Sequence, residues 1–267
     1  MSDELSMNIP SWLWKPNIAP SRFVYLAIIA VEIVLLILLW SFGLPTLIPR
    51  PLEIVHSFHD LMRQGLVYEL LVSFLLNVEA LALATGFSLG FAYLSRFAVG
   101  FPISTAVGKM RFLGMTGLTF LFTILVGGGH DLKLTMLTFG VTVFMTDSMV
   151  AEVKSIPLER FDHARTLRFG EWHVLYEVVI LGTIDRAFEI LRQNAAMAWM
   201  MLAMVEGTVR SGGGIGTLLL NQDKHFNLAL VFAIQFVILG VGLLQDYGIA
   251  VMKRVACPYA ALVTEGK

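Results

Sequence analysis

Long apolar runs separated by short polar segments dominate this chain. Crossing a bilayer takes about 20 mostly apolar helical residues, and six runs approach that length: 23–40, 70–94, 112–129, 134–150, 187–205 and 228–244. The third run carries no charged residue, whereas the fifth is long enough only because it includes a turn with Glu189 and Arg192. The pattern predicts an all-α, polytopic membrane protein with about six transmembrane helices.

The composition agrees with a lipid environment. Of 267 residues, 57% are apolar and 15% are charged, whereas a soluble domain carries about 25% charged residues. This balance excludes an ordinary water-soluble protein. The net charge of -1 provides no basic field for nucleic acid. The single cysteine, Cys257, excludes an internal disulfide and a cysteine-based zinc site.

The distribution of Lys and Arg predicts the orientation of the six spans. Fourteen of the 19 basic residues fall on one side, and this side is expected to be cytoplasmic. These residues are Lys15, Arg22, Arg96, Lys109, Arg111, Lys154, Arg160, Arg165, Arg168, Arg186, Arg192, Lys253, Arg254 and Lys267. Both termini and the segment 151–186 are therefore expected in the cytoplasm. We expect an interfacial segment at 1–22, a single transmembrane domain at 23–255 and a cytoplasmic tail at 256–267.

The segment 151–186 is long for a connection in a compact helical protein. Apolar residues recur near helical spacing after Pro157, Gly170 is suited to stop a helix, and Trp172 begins a second amphipathic stretch. Two short amphipathic helices are therefore expected on the cytoplasmic face. They suit either the docking of a soluble partner or an interfacial position on lipid headgroups.

The same segment carries a family resemblance. Residues 153–167 read Val-Lys-Ser-Ile-Pro-Leu-Glu-Arg-Phe-Asp-His-Ala-Arg-Thr-Leu. They resemble the coupling loop of ABC importer permeases, and most of all the nitrate, taurine, sulfonate and bicarbonate group. In that family a Glu-Ala-Ala start is followed by Arg-Thr-Leu-Gly. Asp162 stands at the Glu position, Ala164 stands at the second Ala, and residues 165–167 match outright.

Some positions depart from the family pattern. His163 stands where the family has its first Ala, Arg168 where it has Gly, and Leu181 where it has the Pro of a later Leu-Pro pair. The prolines that open the third helix in the family are also absent, around residues 112–115. The chain therefore resembles a divergent member.

Other landmarks appear in the family order. Leu-Ile-Pro-Arg-Pro at 47–51 resembles the segment after the first helix. Trp199 and Glu206 correspond to a Trp and an Ala-Glu pair on the fifth helix, and Gly-Ile-Gly at 214–216 corresponds to a Gly-Leu-Gly before the sixth. The resemblance covers roughly residues 44–255.

The resemblance implies the type I ABC importer permease fold, in which a loop between helices four and five docks into a cytoplasmic ATPase. The implied ATPase-coupling residues are Asp162, His163, Ala164, Arg165, Thr166, Leu167, Gly170 and Trp172. The chain would be a transport subunit and not an enzyme. It would hold no cofactor, because ATP and magnesium belong to the partner ATPase.

Further partners follow from the same resemblance. They are a periplasmic or lipid-anchored solute-binding protein, the surrounding lipid and a second permease copy, with a homodimer favoured over a heterodimer. The solute is expected to be small and anionic.

Hydroxyl groups on two predicted spans are candidates for a translocation path. Thr116, Thr119 and Thr123 share one face of the third helix, and Thr138 and Thr142 share a face of the fourth. These five threonines and Trp199 are the path candidates. Hydroxyls contact a polar solute without the cost of a charge at a helix centre. The alternative is that each hydroxyl bonds to a carbonyl of its own helix or to a neighbouring helix.

Two acidic residues raise an alternative function. Glu79 and Glu32 lie in predicted spans, where ionisable groups often have functional roles. Either could be the coupling acid of an ion-gradient-driven secondary transporter, although structural pairing is favoured for both. An intramembrane enzyme is least favoured, because no nucleophile-base pair or metal-ligand set occurs inside a predicted span. The small residues Ala82, Gly86 and Gly90 indicate close helix packing.

Overall fold

The computed structural model of the protein describes residues 22–43 and 48–258, and these are helical with no strand. The chain divides into two units between Glu53 and Ile54. Most of the predicted segment 1–22, the tail beyond residue 258, Lys15 and Lys267 lie outside the described residues. The first unit contains α1 (Arg22–Gly43), whose apolar stretch Phe23–Ser41 has no buried residue. At 1.5 Å per residue α1 is about 33 Å long, enough to cross a bilayer.

Ten further α-helices follow within residues 48–258, and the first of them, α2 (Pro51–Arg63), begins just before the boundary between the units. The others are α3 (Leu66–Leu94), α4 (Gly100–Lys109), α5 (Met115–Val126), α6 (His130–Ser155), α7 (Leu158–Thr166), α8 (Glu171–Val174), α9 (Gly182–Thr208), α10 (Ile215–Lys224) and α11 (Leu228–Ala256). A 3-10 turn (Met110–Phe112) extends α4, and a π-helical segment (Leu175–Leu181) joins α8 to α9 without a break.

Helix α6 lies at the centre of the second unit. Of its most apolar stretch 61% is buried, compared with 33% for α3 and 11% for α11. It packs against α3, α4, α5 and α9. At Gly140 a side chain would come within 3.0 Å of the Met201 sulfur on α9. The absence of a side chain at Gly140 therefore lets these two helices approach closely.

The predicted third span at 112–129 is wrong as a single straight helix. α5 has 12 residues and is about 18 Å long, which is too short to cross a bilayer alone. The chain is extended at Leu113 and Gly114, and the helices on either side meet at a bend of 116°. Only the bent pair taken together, Gly100–Phe112 and Met115–Val126, passes as one span by length and composition.

Among the described residues, four helices are long and apolar enough to cross a membrane, or five with the bent pair. They are α1, α3, α6 and α11. α9 covers the predicted fifth span at 187–205 but is not among them. Its polar residues Thr183, Asn194 and Glu206 are buried within the protein, so this helix contacts protein where a lipid-exposed span would contact acyl chains.

The second unit has two ends with separate apolar clusters. At the end that carries α7, the cluster joins α3, α6, α7 and α9 through residues such as Ala92, Val153, Phe161 and Ile190. At the opposite end, which carries α10, Leu132 and Met136 of α6 pack with Val205 of α9. These are called the α7 end and the α10 end below.

Basic residues gather at the α7 end. The Arg96 guanidinium lies 4.4 Å from the Phe161 ring centre and the Lys154 ammonium lies 4.4 Å from that of Phe101. Arg186 pairs with Glu152 of α6 at 3.8 Å. This clustering is consistent with the charge asymmetry in the sequence, while the orientation of the α7 end in a membrane stays a prediction.

Candidate functional site

The connection between α6 and α9 is shorter than the sequence predicts. α6 continues to Ser155, and the helical stretch that leads into α9 begins at Glu171. Only residues 156–170, which include α7, lie between these two helical stretches. The short helices α7 and α8 lie between α6 and α9 as predicted, but this connection is shorter than 151–186. α7 is separate, but the stretch that begins beside Trp172 runs through the π-helical segment into α9.

Local backbone geometry sets both ends of α7. Pro157 precedes the helix in an extended conformation, and the Arg160 amide donates to the Pro157 carbonyl at 3.1 Å. Arg168 ends it with a φ of 61°, and the Phe169 amide donates to the Ala164 carbonyl at 3.3 Å. The helix therefore stops before Gly170, which has an ordinary φ of -67° and is not needed as a helix stop.

The inner face of α7 belongs to the protein core. Phe161 and Ala164 are buried in the apolar cluster at the α7 end, together with Val174 and Val179. The Arg96 guanidinium covers the Phe161 ring, and burial lowers the pKa of Arg96. α7 is thus fixed to the bundle and does not lie loosely on its surface.

Seven of the eight predicted coupling residues lie at the protein surface, on the outer face of α7 and in the stretch that follows it as far as Trp172. All except Ala164 are exposed. Arg165 donates from Nε and Nη2 to the two Glu171 carboxylate oxygens at 3.2 and 3.3 Å, and its Nη1 lies 3.5 Å from Asp162 Oδ1. The Glu171 carboxylate, acting first through these hydrogen bonds, raises the pKa of Arg165. Arg165 therefore connects α7 to α8, and Glu171 is a partner that the sequence did not single out.

Large apolar side chains stand beside these charges. Leu158 is 77% exposed, Trp172 is 75% exposed and Leu167 is 56% exposed. The Trp172 ring lies 5.6 Å from that of Phe97. We call the exposed residues of 158–172 the α7 surface. Apolar groups rimmed by charges are typical of a site that contacts another protein.

A groove of about 400 Å³ lies beside the α7 surface. Its lining combines apolar and charged side chains, including Glu159, His163, Leu167, Phe169 and Glu177. The groove lies between the exposed parts of α7 and of the π-helical segment, so the protein is concave beside the α7 surface.

The threonines on α5 bond to their own helix. Thr119 Oγ1 donates to the Met115 carbonyl at 3.1 Å, and Thr123 Oγ1 donates to the Thr119 carbonyl at 2.7 Å. Thr116 is exposed on the same helix. For Thr119 and Thr123 the structure matches the own-helix alternative.

The threonines on α6 have a different environment. The Oγ1 atoms of Thr138 and Thr142 are buried and have no hydrogen-bond partner among the described residues. Both residues line a cavity of about 410 Å³ between α3, α4, α5 and α6, whose other walls are mostly apolar. Both hydroxyl oxygens are buried in the wall of this cavity, and the α5 threonines do not line it.

Trp199 lies in a third place. It lines a cavity of about 570 Å³ between α9 and α11. Its Nε1 donates to Gln245 Oε1 at 2.7 Å, and Gln245 Nε2 donates to Asn77 Oδ1 at 3.4 Å. The six predicted path residues therefore do not form one site within this chain.

The acidic and small residues also have defined positions. Glu79 lies 3.2 Å from His130 Nε2, and both side chains are about half exposed. The side chain of Glu32 is exposed on α1. A side chain at Gly86 or Gly90 would meet no atom within 4 Å, so this stripe does not pack against another part of the described chain.

The sequence did not reveal a buried polar cluster at the α10 end. Glu206 of α9 is fully buried and accepts hydrogen bonds from Ser73 Oγ at 2.7 Å and from the Gly216 amide at 2.8 Å. Ser73 Oγ also accepts from the Ile215 amide at 2.7 Å. The cluster thus joins α3, α9 and the start of α10.

A lysine and a second carboxylate complete this cluster. Lys133 Nζ donates to the Gly213 carbonyl at 2.6 Å and interacts electrostatically with both Glu206 and Glu69. The Gly214 amide donates to Glu69. The sequence signals were Glu206 and the Gly-Ile-Gly at 214–216, two landmarks of the family resemblance that do not identify Ser73, Lys133 or Glu69 as partners.

Comparison with known proteins gives one informative result. No protein-family model and no curated protein sequence matches the chain. Among solved structures it is similar to a chain of the MetNI methionine ABC transporter in an inward-facing conformation, with 16% identity and a TM-score of 0.58. The match covers 71% of this chain and 95% of the other. The protein is therefore an all-α chain with the fold of an ABC importer permease.

Proposed function

We propose that this chain is the transmembrane permease subunit of an ATP-driven importer and that the α7 surface contacts a cytoplasmic ABC ATPase. The observation that carries the proposal is the α7 surface itself. It exposes Leu158, Leu167 and Trp172 beside the Arg165–Glu171 pair. This surface lies between α6 and α9 in a fold similar to that of an ABC transporter.

The packing of α7 supports a mechanical role. Phe161 and Ala164 belong to the same buried cluster as Val153 of α6 and Ile190 of α9. Close-packed interiors transmit displacement instead of absorbing it. ATP-driven closure of two ATPases would therefore pull on α7, shift α6 and α9, and change the side to which the solute path opens.

The sequence resemblance adds four elements to this proposal. They are a second permease copy, an external solute-binding protein, the bacterial inner membrane and a small anionic solute of the nitrate, taurine, sulfonate or bicarbonate type. The hydroxyls of Thr138 and Thr142, which lack partners among the described residues, support a role in binding a small polar group.

Gly170→Glu provides the sharpest test of ATPase contact. A side chain at Gly170 meets no atom within 4 Å and needs no unusual φ, so the variant is expected to fold. Ala164→Glu is unsuitable, because it would bury a charge in the core. The tagged permease would be co-expressed with an ATPase encoded beside it, and the recovered ATPase measured. We expect Gly170→Glu and Trp172→Ala to lose most of it.

Phe226→Ala is the matched control. Phe226 is 86% exposed but follows α10, at the opposite end from α7. Its loss should leave ATPase recovery unchanged. Equal ATPase recovery from all variants and the unmodified chain would contradict the proposal. Solute transport that continues without ATP hydrolysis but stops when the ion gradient collapses would favour the secondary-transporter alternative.

A further inference from the structure

A second feature at the α7 end adjoins the proposed ATPase contact and shares Arg160 with it. A cavity of about 820 Å³ opens between the end of α6, the start of α7, the first turns of α9 and the last turns of α11. We call it the basic cleft. Its position among helix ends, away from the centres of the spans, leaves it open to water and to lipid headgroups.

The cleft lining has an excess of positive charge. Its five cationic residues are Arg160, Arg186, Arg192, Lys253 and Arg254. Its three carboxylates are Glu152, Asp185 and Glu189. Asp246, beyond the lining, neutralises part of this excess by pairing with Arg192 at 3.2 Å. At least one positive charge is then left over in the cleft.

The carboxylates of the cleft do not form ion pairs with all of its cationic side chains. Glu189 already pairs with Arg192 at 2.9 Å and with Lys253 at 3.1 Å, and Glu152 pairs with Arg186. Within the described ranges 22–43 and 48–258, neither Arg160 nor Arg254 has an ion-pair partner. One of these arginines lies on α7 and the other near the end of α11. Both arginines therefore line one cleft from separate helices without an ion-pair partner in the described ranges, and of the lining carboxylates only Asp185 is also unpaired there.

We propose that the basic cleft binds a phosphate group between Arg160 and Arg254. Arginine presents several N–H donors in a planar fork that matches phosphate oxygens. Basic pockets between membrane helices on the cytoplasmic side are suited to anionic lipid headgroups. A free phosphate ion presents the same chemistry. The bound anion would connect α7 to α11 and so restrain the helix that carries the α7 surface.

The test compares two sources of phosphate. The purified chain is placed in nanodiscs of phosphatidylcholine alone or with phosphatidylglycerol, and retained lipid is measured by native mass spectrometry. In phosphatidylcholine alone, thermal unfolding is followed as sodium phosphate is added. We expect the double variant Arg160→Gln, Arg254→Gln to weaken retention or phosphate affinity by about tenfold or more, since each basic group near a membrane surface contributes about 1 kcal/mol.

Two further variants make the result specific. Arg210→Gln with Lys224→Gln removes the same charge at the α10 end and should bind as the unmodified chain does. Ser155→Asp keeps both arginines but adds a negative charge to the cleft lining, and it should weaken binding even if the double arginine variant fails to fold. Retention of phosphatidylglycerol alone identifies a lipid headgroup, and stabilisation by phosphate alone identifies a soluble anion. Absence of both signals in the unmodified chain, or equal signals in it and in Ser155→Asp, overturns the proposal.

Discussion

Ser73 of α3 donates a hydrogen bond to the buried carboxylate of Glu206 on α9 at 2.7 Å and accepts one from the Ile215 amide at the same distance. Ser73→Ala removes both interactions and leaves the Ile215 amide without its acceptor. We expect a loss of about 2 kcal/mol in the free energy of unfolding, measured as a lower thermal midpoint. Thr85→Ala on the same helix is the control, because Thr85 bonds to the Leu81 carbonyl of its own helix. Equal midpoints for the two variants would contradict this role of Ser73.

Gly214 is expected to tolerate no side chain. Its φ is 110°, and an added Cβ would overlap the Glu206 carboxylate. Gly214→Ala should therefore lower the thermal midpoint and increase amide hydrogen exchange in α10. Gly128→Ala, where a Cβ meets no atom within 4 Å, should change neither. Unchanged exchange in α10 of Gly214→Ala would show that the cluster does not hold this helix.

Arg168 is expected to destabilise the end of α7. Its φ of 61° lies in the left-handed region, which costs a residue with a side chain about 1 kcal/mol relative to glycine. Arg168→Gly should therefore raise the free energy of unfolding by about 0.5–1 kcal/mol. Arg168→Ala removes the charge but keeps the strain and should give no such gain. A gain in both variants would assign the effect to the arginine charge instead.

The variant Thr142→Val distinguishes a structural role of the Thr142 hydroxyl from a role in transport. Its hydroxyl is buried without a partner among the described residues, so Thr142→Val should raise the free energy of unfolding by about 1 kcal/mol or leave it unchanged. If the hydroxyl contacts the solute, the uptake rate should fall in the same variant. The control is Thr123→Val, whose hydroxyl bonds to its own helix. Normal uptake by Thr142→Val would remove this residue from the path.

The sequence predicts those parts of the fold that depend on local pattern. The apolar runs of α1, α3, α6 and α11 are long enough to be recognised without knowing their neighbours. The start of α7 follows from Pro157 for the same reason. The sequence predicts the end of α7 too late, at Gly170, because glycine is a recognised signal for the left-handed conformation that Arg168 adopts here and arginine is not.

The missed features depend on residues that are distant in the chain. Ser73 and Glu206 are 133 residues apart, and neither carries a local sign of its partner. The bend between α4 and α5 occurs at Leu113 and Gly114 without a proline, so the apolar run across it gives the appearance of one straight helix. Threonine spacing places hydroxyls on a face but does not distinguish Thr123, which bonds to its own helix, from Thr142, which does not.

The uninterrupted helix from α8 through the π-helical segment to the end of α9 has a mechanical consequence. Residues 171–208 are helical without a break, a path of about 55 Å along the chain at the rise of a helix. Trp172 is near one end of this stretch, and Glu206, which holds the start of α10, is near the other. No loop interrupts this stretch, so a displacement of the first end has a continuous helical path to the second. If the proposed ATPase contact displaces Trp172, the start of α10 at the opposite end of the second unit is expected to move with it.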